Sequence, residues 1–403
     1  MSTPLRLAAC ATHPIQYQAP IWRRLAASSQ LDFQAFFGSD MSVRGYTDRE
    51  FGTTVAWDTP LVSGYQHTFL SNDPRIQQIN FWRPAATDLA RKFRDFRPEV
   101  VLLTAYAGRF HLEALWAAKR VGAKVLMRHE ASDVAVTRSR RKGWVRDAML
   151  RQLYAQVDGF AVIGREARRH LLRLGVPDKK MVAAPYCVDT DYFSGEVTRW
   201  SPQREKIRAE MGMAPEAVVL VFSGKLIPKK DPLLIAAALR LLEPAFREGI
   251  HLIVAGDGEM RGEMELAVGG AIGARAHFLG FLNQSEIGRA YTAGDLLMLP
   301  SRVGAGETWG LVVNEAMQFG LGVLASDGVG CGPDLISELT GQIFRSGDAT
   351  TAAAALRSAV TAIRANRSQF AVAARRRVAD FTAAQAADGV AKLAWKVTRD
   401  PLS

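Results

Sequence analysis

Short, continuous runs of aliphatic and β-branched residues recur along this chain, each followed by a longer stretch with helical periodicity. The first half offers strands at Leu5–Ala11, Leu31–Phe37, Val100–Thr104, Lys124–Arg128 and Gly159–Ile163. Ile21–Ser28, Thr87–Phe96, Leu112–Val121 and Gly143–Gln156 read as helices between them. The second half offers strands at Ala217–Phe222, His251–Ala255, Ala276–Leu279, Leu296–Leu299, Gly322–Ala325 and Gly341–Phe344, with helices in the gaps. Strands that are apolar throughout and alternate with helices indicate parallel sheets covered on both faces. Two such series in 403 residues, too many for one ordinary core, predict an α/β chain of two doubly wound domains. The join is expected near Ser194–Pro215, where periodicity gives way to the polar stretch FSGEVTRWSPQREK. From about Ser368 the pattern reads as helices and not as a further strand–helix unit. Ligands of open α/β sheets bind beyond the carboxyl ends of the strands, so chemistry is to be sought in the loops there.

Composition narrows the classes. With 48% hydrophobic and 23% charged residues, global disorder is excluded. Lys+Arg minus Asp+Glu, 51 − 40 = +11, favours anionic partners: phosphorylated ligands, a membrane surface or nucleic acid. Charge alone does not choose among them. Cys10, Cys187 and Cys331 lie far apart with no CxxC, against a zinc site or a disulfide framework and in keeping with a reduced, cytoplasmic setting. Leu5–Ala11 is too short for a signal-peptide core and reads as a first strand. The richest apolar stretch, Leu233–Leu242, carries Arg240 and falls well short of the roughly 20 residues of a membrane span.

Two loops carry phosphate chemistry. After the strand ending at Phe222 comes Ser223-Gly224-Lys225-Leu226-Ile227-Pro228-Lys229-Lys230-Asp231-Pro232. Gly224 allows close backbone approach, Lys225 and Lys230 can converge on an anion, and Asp231-Pro232 reads as an N-cap and first helical residue. A solvated basic turn is the plain alternative. The second loop is Gly306-Glu307-Thr308-Trp309-Gly310-Leu311-Val312-Val313-Asn314-Glu315. Amide groups of Gly310, Leu311 and Val312 at a helix start suit a diphosphate. Glu315 can accept from a ribose diol, and Glu307 from sugar hydroxyls. The turn Gly256-Asp257-Gly258 is weak by itself, and Phe281-Leu282 could hold a nucleobase or simply be core.

Together these residues resemble the retaining glycosyltransferases of family GT4, which have the GT-B fold. FSGKLIPKKDP looks like the family's phosphate loop and ETWGLVVNEAM like its EX7E element. VAAPYCVDTDYF, LIVAGDGE, HFLGFL and DLLMLPS fall in the family's order. The resemblance implies a GT-B architecture of two Rossmann-like domains facing a cleft: 1–195 on the acceptor side, 196–380 for the donor, and 381–403 a helix crossing back. It implies retaining, metal-independent transfer from a UDP- or GDP-sugar to a sugar or lipid-linked acceptor hydroxyl, with no cofactor, in cell-surface polysaccharide or glycolipid synthesis. Lys225, Lys230, Glu307 and His129 would be catalytic. Gly224, Gly310, Leu311, Val312, Glu315, Phe281 and Leu282 would hold the donor, and His13, Gln16 and Tyr17 would lie on the acceptor side.

Departures also stand out. Thr12-His13-Pro14 replaces the usual Gly-Gly pair, Lys225 replaces a common Arg and loses its bidentate fork, and Val303–Gly306 is inserted before Glu307. Asp189-Thr190-Asp191 spells the DxD string of the other large glycosyltransferase fold, but its setting favours a structural turn. His129 is expected to face the cleft. The basic run Arg138–Arg146 leads into Trp144, Val145, Met149, Leu150 and Leu153, either an amphipathic helix for anionic lipid or a solvated helix face. Rival functions are a GT-B nucleotide-sugar epimerase and a non-enzymatic basic binder of membrane or polyanion; no recognised nucleic-acid motif is present.

Overall fold

The computed structural model describes residues 3–48, 53–55, 57–136 and 139–399. Its strands, in chain order, are β1 (Leu5–Ala11), β2 (Leu31–Phe37), β3 (Tyr46–Asp48), β4 (Thr53–Val55), β5 (Gln66–Phe69), β6 (Val100–Leu103), β7 (Lys124–Met127) and β8 (Gly159–Val162). They continue with β9 (Met181–Ala183), β10 (Val218–Ser223), β11 (Ile250–Ala255), β12 (Ala276–Gly280), β13 (Leu296–Leu299), β14 (Gly322–Ser326) and β15 (Gly341–Phe344). One sheet runs β5-β2-β1-β6-β7-β8-β9 and the other β12-β11-β10-β13-β14-β15, while β3 and β4 form a small antiparallel pair. Both large sheets are parallel. The two-sheet α/β architecture read from the alternation is therefore present.

The central strands are apolar for the expected reason. Every residue of β10 (VVLVFS) and of β13 (LLML) is buried, because helices cover both faces. The edge strand β5 (QHTF) has no continuous apolar run, and β9 (MVA) is apolar but only three residues long. β5 has one neighbour and is nowhere fully buried, so nothing in its sequence demands two apolar faces.

The polar stretch at the expected join is helical. It is two helices, Thr190–Trp200 and Arg204–Glu210, and residue 195 lies inside the first. Their polar residues bond to the folded chain. Asp189 caps the first helix by accepting from the Tyr192 amide at 3.2 Å and pairs with Arg23 at 2.7 Å, while Asp191 pairs with Arg24 at 2.6 Å. Arg204 reaches the buried Asp295 at 2.6 Å. The DxD string is thus a helix start tied to the N-terminal half.

After β15, Asp348 caps a long helix, Ala349–Val378, which kinks at Asn366. The chain then crosses back as the helix Ala383–Arg399. Val390, Leu393 and Val397 pack in one apolar cluster with Leu7, Leu102 and Ala161 of the first sheet. Each such side chain contributes about 1.5–3 kcal/mol relative to exposure. Gly389 permits the approach, since a Cβ there would lie 2.1 Å from the Ala183 carbonyl oxygen.

Of the basic run, Arg138 lies outside the described residues. The helix it precedes, Arg140–Ala155, buries Leu150 and exposes Trp144 (72%), Val145 (53%) and Met149 (68%). The three cysteines are buried and unpaired. Among the described residues no helix is long and apolar enough to cross a membrane.

Gly389→Val should lower stability by about 1–3 kcal/mol through overpacking of the crossing helix on β9. Urea unfolding followed by circular dichroism measures it, and an unchanged midpoint would refute this docking.

Candidate active site

The strand ends of the second sheet build the first wall. The turns after β10 and β11 are stitched backbone to backbone: the Leu226 amide donates to the Asp257 carbonyl at 2.8 Å and the Gly224 amide to Ala255 at 3.0 Å. The Gly256 amide in turn donates to Gly280 at the end of β12 at 2.7 Å. A Cβ at Gly256 would lie 1.8 Å from the Gly224 oxygen, so glycine is required there. The weak glycine pattern of the sequence is explained by this close approach. Lys225 lies half-buried on the turn, with Phe281 and Leu282 half-buried beyond β12.

The expected cap at Asp231 is not made. Asp231 adopts left-handed backbone (φ 49°), the next helix begins at Leu233 without a side-chain cap, and the carboxylate turns to Arg302 at 3.1 Å. This conformation closes the short turn Pro228–Lys230 and delivers Lys230 to the neighbouring loop. There Lys230 is ion-paired with Glu307, whose Oε2 also accepts from Ser301 Oγ at 2.9 Å. The two phosphate-loop candidates thus meet in space although 77 residues separate them.

Gly310 (φ 95°) begins the helix Leu311–Gln318, and a Cβ at Gly310 would crowd Leu299 and Val329 at 2.9 and 3.0 Å. The first-turn amides of Leu311 and Val312 have no intrahelical partner by construction, and both residues remain partly accessible. One turn further, Glu315 accepts from the Tyr291 hydroxyl at 2.8 Å, and that hydroxyl lies 3.2 Å from Ser223 at the end of β10. Burial raises the Glu315 carboxyl from its ordinary 4.5 to about 7, against the pull of the Tyr291 hydrogen bond.

The first sheet supplies the facing wall. His13 follows β1, contacts Thr12 Oγ1 at 3.0 Å, and is lowered by burial to about 4. Gln16 leaves its Oε1 buried without a partner among the described residues. Tyr17 packs edge-on against Tyr186 at 5.1 Å.

His129 departs from expectation. It is 6% exposed, stacked on Tyr154 at 5.5 Å and edge-on to Tyr106 at 5.2 Å. Burial, aided by the nearby His170 and Arg146, drives its pKa to about 3, so the ring is neutral. Both ring nitrogens lie without a partner among the described residues. Beside His129 in the loop after β7 is Glu130, which the sequence reading passed over. Its Oε1 accepts from the Tyr17 hydroxyl at 3.2 Å and from Tyr186, and its Oε2 from Thr308 at 3.3 Å.

The two walls touch through more than this carboxylate. Trp309, 2% exposed, donates to Asn314 Oδ1 at 2.7 Å, and Asn314 donates to the Tyr186 carbonyl at 3.2 Å. The inserted segment Val303–Gly306 is spent on the same contact: the Gly304 and Gly306 amides donate to Val134 and Ala135 at 2.9 and 2.7 Å. A cavity of about 650 Å³ lies elsewhere, where the crossing segment meets β8 and β9, and none of the expected catalytic, donor or acceptor residues lines it.

A family model described as glycosyl transferases group 1 matches residues 203–377, and one for a glycosyl transferase 4-like domain matches residues 54–187. A D-inositol 3-phosphate glycosyltransferase of Geodermatophilus obscurus is 31% identical over 241 residues, covering 57% of this chain and 51% of that protein. The chain thus spans about half the length of the curated relatives it matches. A glycosyltransferase structure from Rickettsia africae superposes with TM-score 0.69 at 14% identity, covering 99% of this chain and 100% of that one. Anabaena HepE in complex with UDP superposes with TM-score 0.67 at 13% identity, covering 97% and 99%. These two likenesses establish the fold. With both sheets, the EX7E helix and the two family models in agreement, the chain belongs to the GT4-type group 1 glycosyltransferases of GT-B fold.

Proposed function

We propose that this protein moves a sugar from a nucleotide diphosphate-sugar, UDP- or GDP-linked, to an acceptor hydroxyl with retention and without a metal. The observation that carries the reading is one cluster: Lys230 paired with Glu307, beside the helix start at Gly310–Val312, with Glu315 one turn in. The chemical difficulty is negative charge growing on the departing diphosphate. Lys225, Lys230 and the amides of Gly310, Leu311 and Val312 answer it with charge and dipoles already in place. Glu315 takes the ribose diol, Phe281 and Leu282 flank the base, and Gly224 lets the phosphates approach. The departing phosphate receives the acceptor proton, so no separate base is called for. His129 joins as a neutral ring: neither of its nitrogens has a partner among the described residues, a costly state that a donor-sugar hydroxyl relieves. His13, Gln16 and Tyr17 form the acceptor side.

The same reading divides the chain into an acceptor half, 1–195, a donor half, 196–380, and the crossing helix, 381–403. That HepE was crystallised with UDP and with UDP-glucose supports a uridine nucleotide as the first donor to try. We place the reaction in cell-surface polysaccharide or glycolipid synthesis, on the cytoplasmic side. The helix Arg140–Ala155, exposing Trp144, Val145 and Met149 among basic residues, supports contact with an anionic bilayer.

Thermal unfolding with UDP, GDP and ADP checks the donor: at 100 times its dissociation constant the right nucleotide adds about 2.7 kcal/mol to the folded state. No shift with any of them would sink the proposal. Lys230→Ala and Glu315→Ala should fold yet lose about 10²–10³-fold in transfer rate, in line with the loss of a preorganised donor; a fully active variant of either breaks the assignment.

Glu315 also makes a pH prediction. Its acid is weakened on folding, so the folded state holds the extra proton between pH 4.5 and about 7. That contribution is complete below 4.5 and is lost as pH rises through 7. Relative to Glu315→Gln, the wild type should therefore lose up to about 3 kcal/mol between pH 4.5 and 8, read by urea unfolding. Parallel curves would contradict the raised value.

For the membrane, sedimentation with phosphatidylglycerol vesicles at low salt should pull down the wild type and spare Trp144→Glu/Met149→Glu. Equal recovery of both would remove the contact.

A further inference from the structure

Glu130 lies in the loop three residues beyond β7, and its carboxylate gathers hydroxyls from three separate pieces of chain. Tyr17 comes from the loop after β1, Tyr186 from the segment after β9, and Thr308 from the loop that carries Glu307. Burial pushes the Tyr17 and Tyr186 hydroxyls well above the ordinary tyrosine range, so both stay protonated and donate. The carboxylate is therefore the common acceptor, and charge-assisted bonds of this kind are the strong ones.

The three contacts differ in what else holds them. Tyr186 is fixed independently, by the Arg128 guanidinium over its ring at 5.3 Å, by Trp309 edge-on at 5.8 Å and by Asn314 on its carbonyl. Thr308 is only half-buried, and its bond to Glu130, at 3.3 Å, is near the long limit for hydroxyl donors. Losing Glu130 thus leaves the wall standing and unties the Thr308 side chain, next to Glu307, between the Gly306–Ala135 hydrogen bond and the buried Trp309.

We propose that Glu130 is a positioning residue: its carboxylate latches the loop of Thr308 to Tyr186 and Tyr17, bringing the donor pocket into register with the acceptor wall. The inference rests on the transferase reading for its kinetic consequence and on geometry alone for the latch. Its test uses Glu130→Gln, Thr308→Val and the double variant. Each should lower kcat by about tenfold to a hundredfold, the scale of a lost hydrogen bond to a charged group. Nucleoside diphosphate affinity, by titration calorimetry, should stay within about twofold. The double variant should be no slower than the slower single, as for two residues acting through one contact.

A second readout needs no nucleotide. Spin labels on cysteines introduced at Gln152 and Ala362, both exposed, report the spacing of the two halves, and the native cysteines are buried. The wild type should give a narrow distance distribution that broadens towards longer distances in each variant. Unchanged distributions, additive kinetic losses, or a nucleotide affinity that falls with kcat would each overturn the latch. Should the wild type bind no nucleoside diphosphate, the functional reading fails, while the distance measurement still decides the latch. If Glu130→Gln melts early, Thr308→Val carries the test alone.

Discussion

A parallel strand can be joined to its neighbour only by a crossover that returns over a face of the sheet, so the loops leaving the strands all collect at one end. Everything at the candidate site follows from this. Ser223, Gly224 and Lys225 leave β10, Gly256 leaves β11, Phe281 leaves β12 and Ser301 leaves β13. They are distant in sequence and adjacent in space because their strands are neighbours in one sheet. The same crossover turns the start of each following helix towards that end, so the positive pole of Leu311–Gln318 arrives beside Lys230 without further design. Facing this end, the first sheet delivers Tyr17 from β1 and Glu130 from β7.

Collecting charges creates a second problem, since each carboxylate near an anion site must be made tolerable. The three carboxylates solve it differently. Glu307 is neutralised by Lys230 and accepts from Ser301. Glu315 is disfavoured as an anion by burial, so near neutral pH a large share of it carries a proton and repels an incoming diphosphate less. Glu130 accepts from the hydroxyls of Tyr17, Tyr186 and Thr308 and lies on the opposite wall. His129 is the mirror case: buried among aromatic rings, it gives up its proton and adds no charge.

The sequence made much of this legible, for reasons that can be named. β10 and β13 were visible because two covered faces demand apolar residues at every position. Glycines at 224, 256 and 310 all have positive φ, and the structure shows what two of them make room for: the Gly224 carbonyl at Gly256, Leu299 and Val329 at Gly310. β5 and β9 were hidden, since an edge strand is asked for little. The join looked like a linker because its polar residues bind partners far away, Arg204 to Asp295 and Asp191 to Arg24, and no local pattern records such pairing. His129 and Glu130 show the limit most clearly. They are consecutive in the loop beyond β7, which ends at Met127, and no strand or helix periodicity applies there to say which side chain is buried among rings and which meets Tyr17 and Tyr186.

The positive balance of +11 can now be weighed. A polyanion-binding protein needs cations held together on an open face. Here many arginines are committed elsewhere: Arg173 to both Asp133 and Asp147, Arg204 and Arg367 to Asp295, Arg23 to Asp189. The more exposed of these, such as Arg173 with Asp133, are worth about 0–1 kcal/mol each, but all of them remove their cations from any shared field. Basic residues beside exposed apolar side chains occur in more than one place, Arg120 at Trp116 as well as the helix Arg140–Ala155 with Trp144 and Met149, so they form no single cationic face. The net charge is therefore no argument for a polyanion binder, and the cleft chemistry of a glycosyltransferase stands without it.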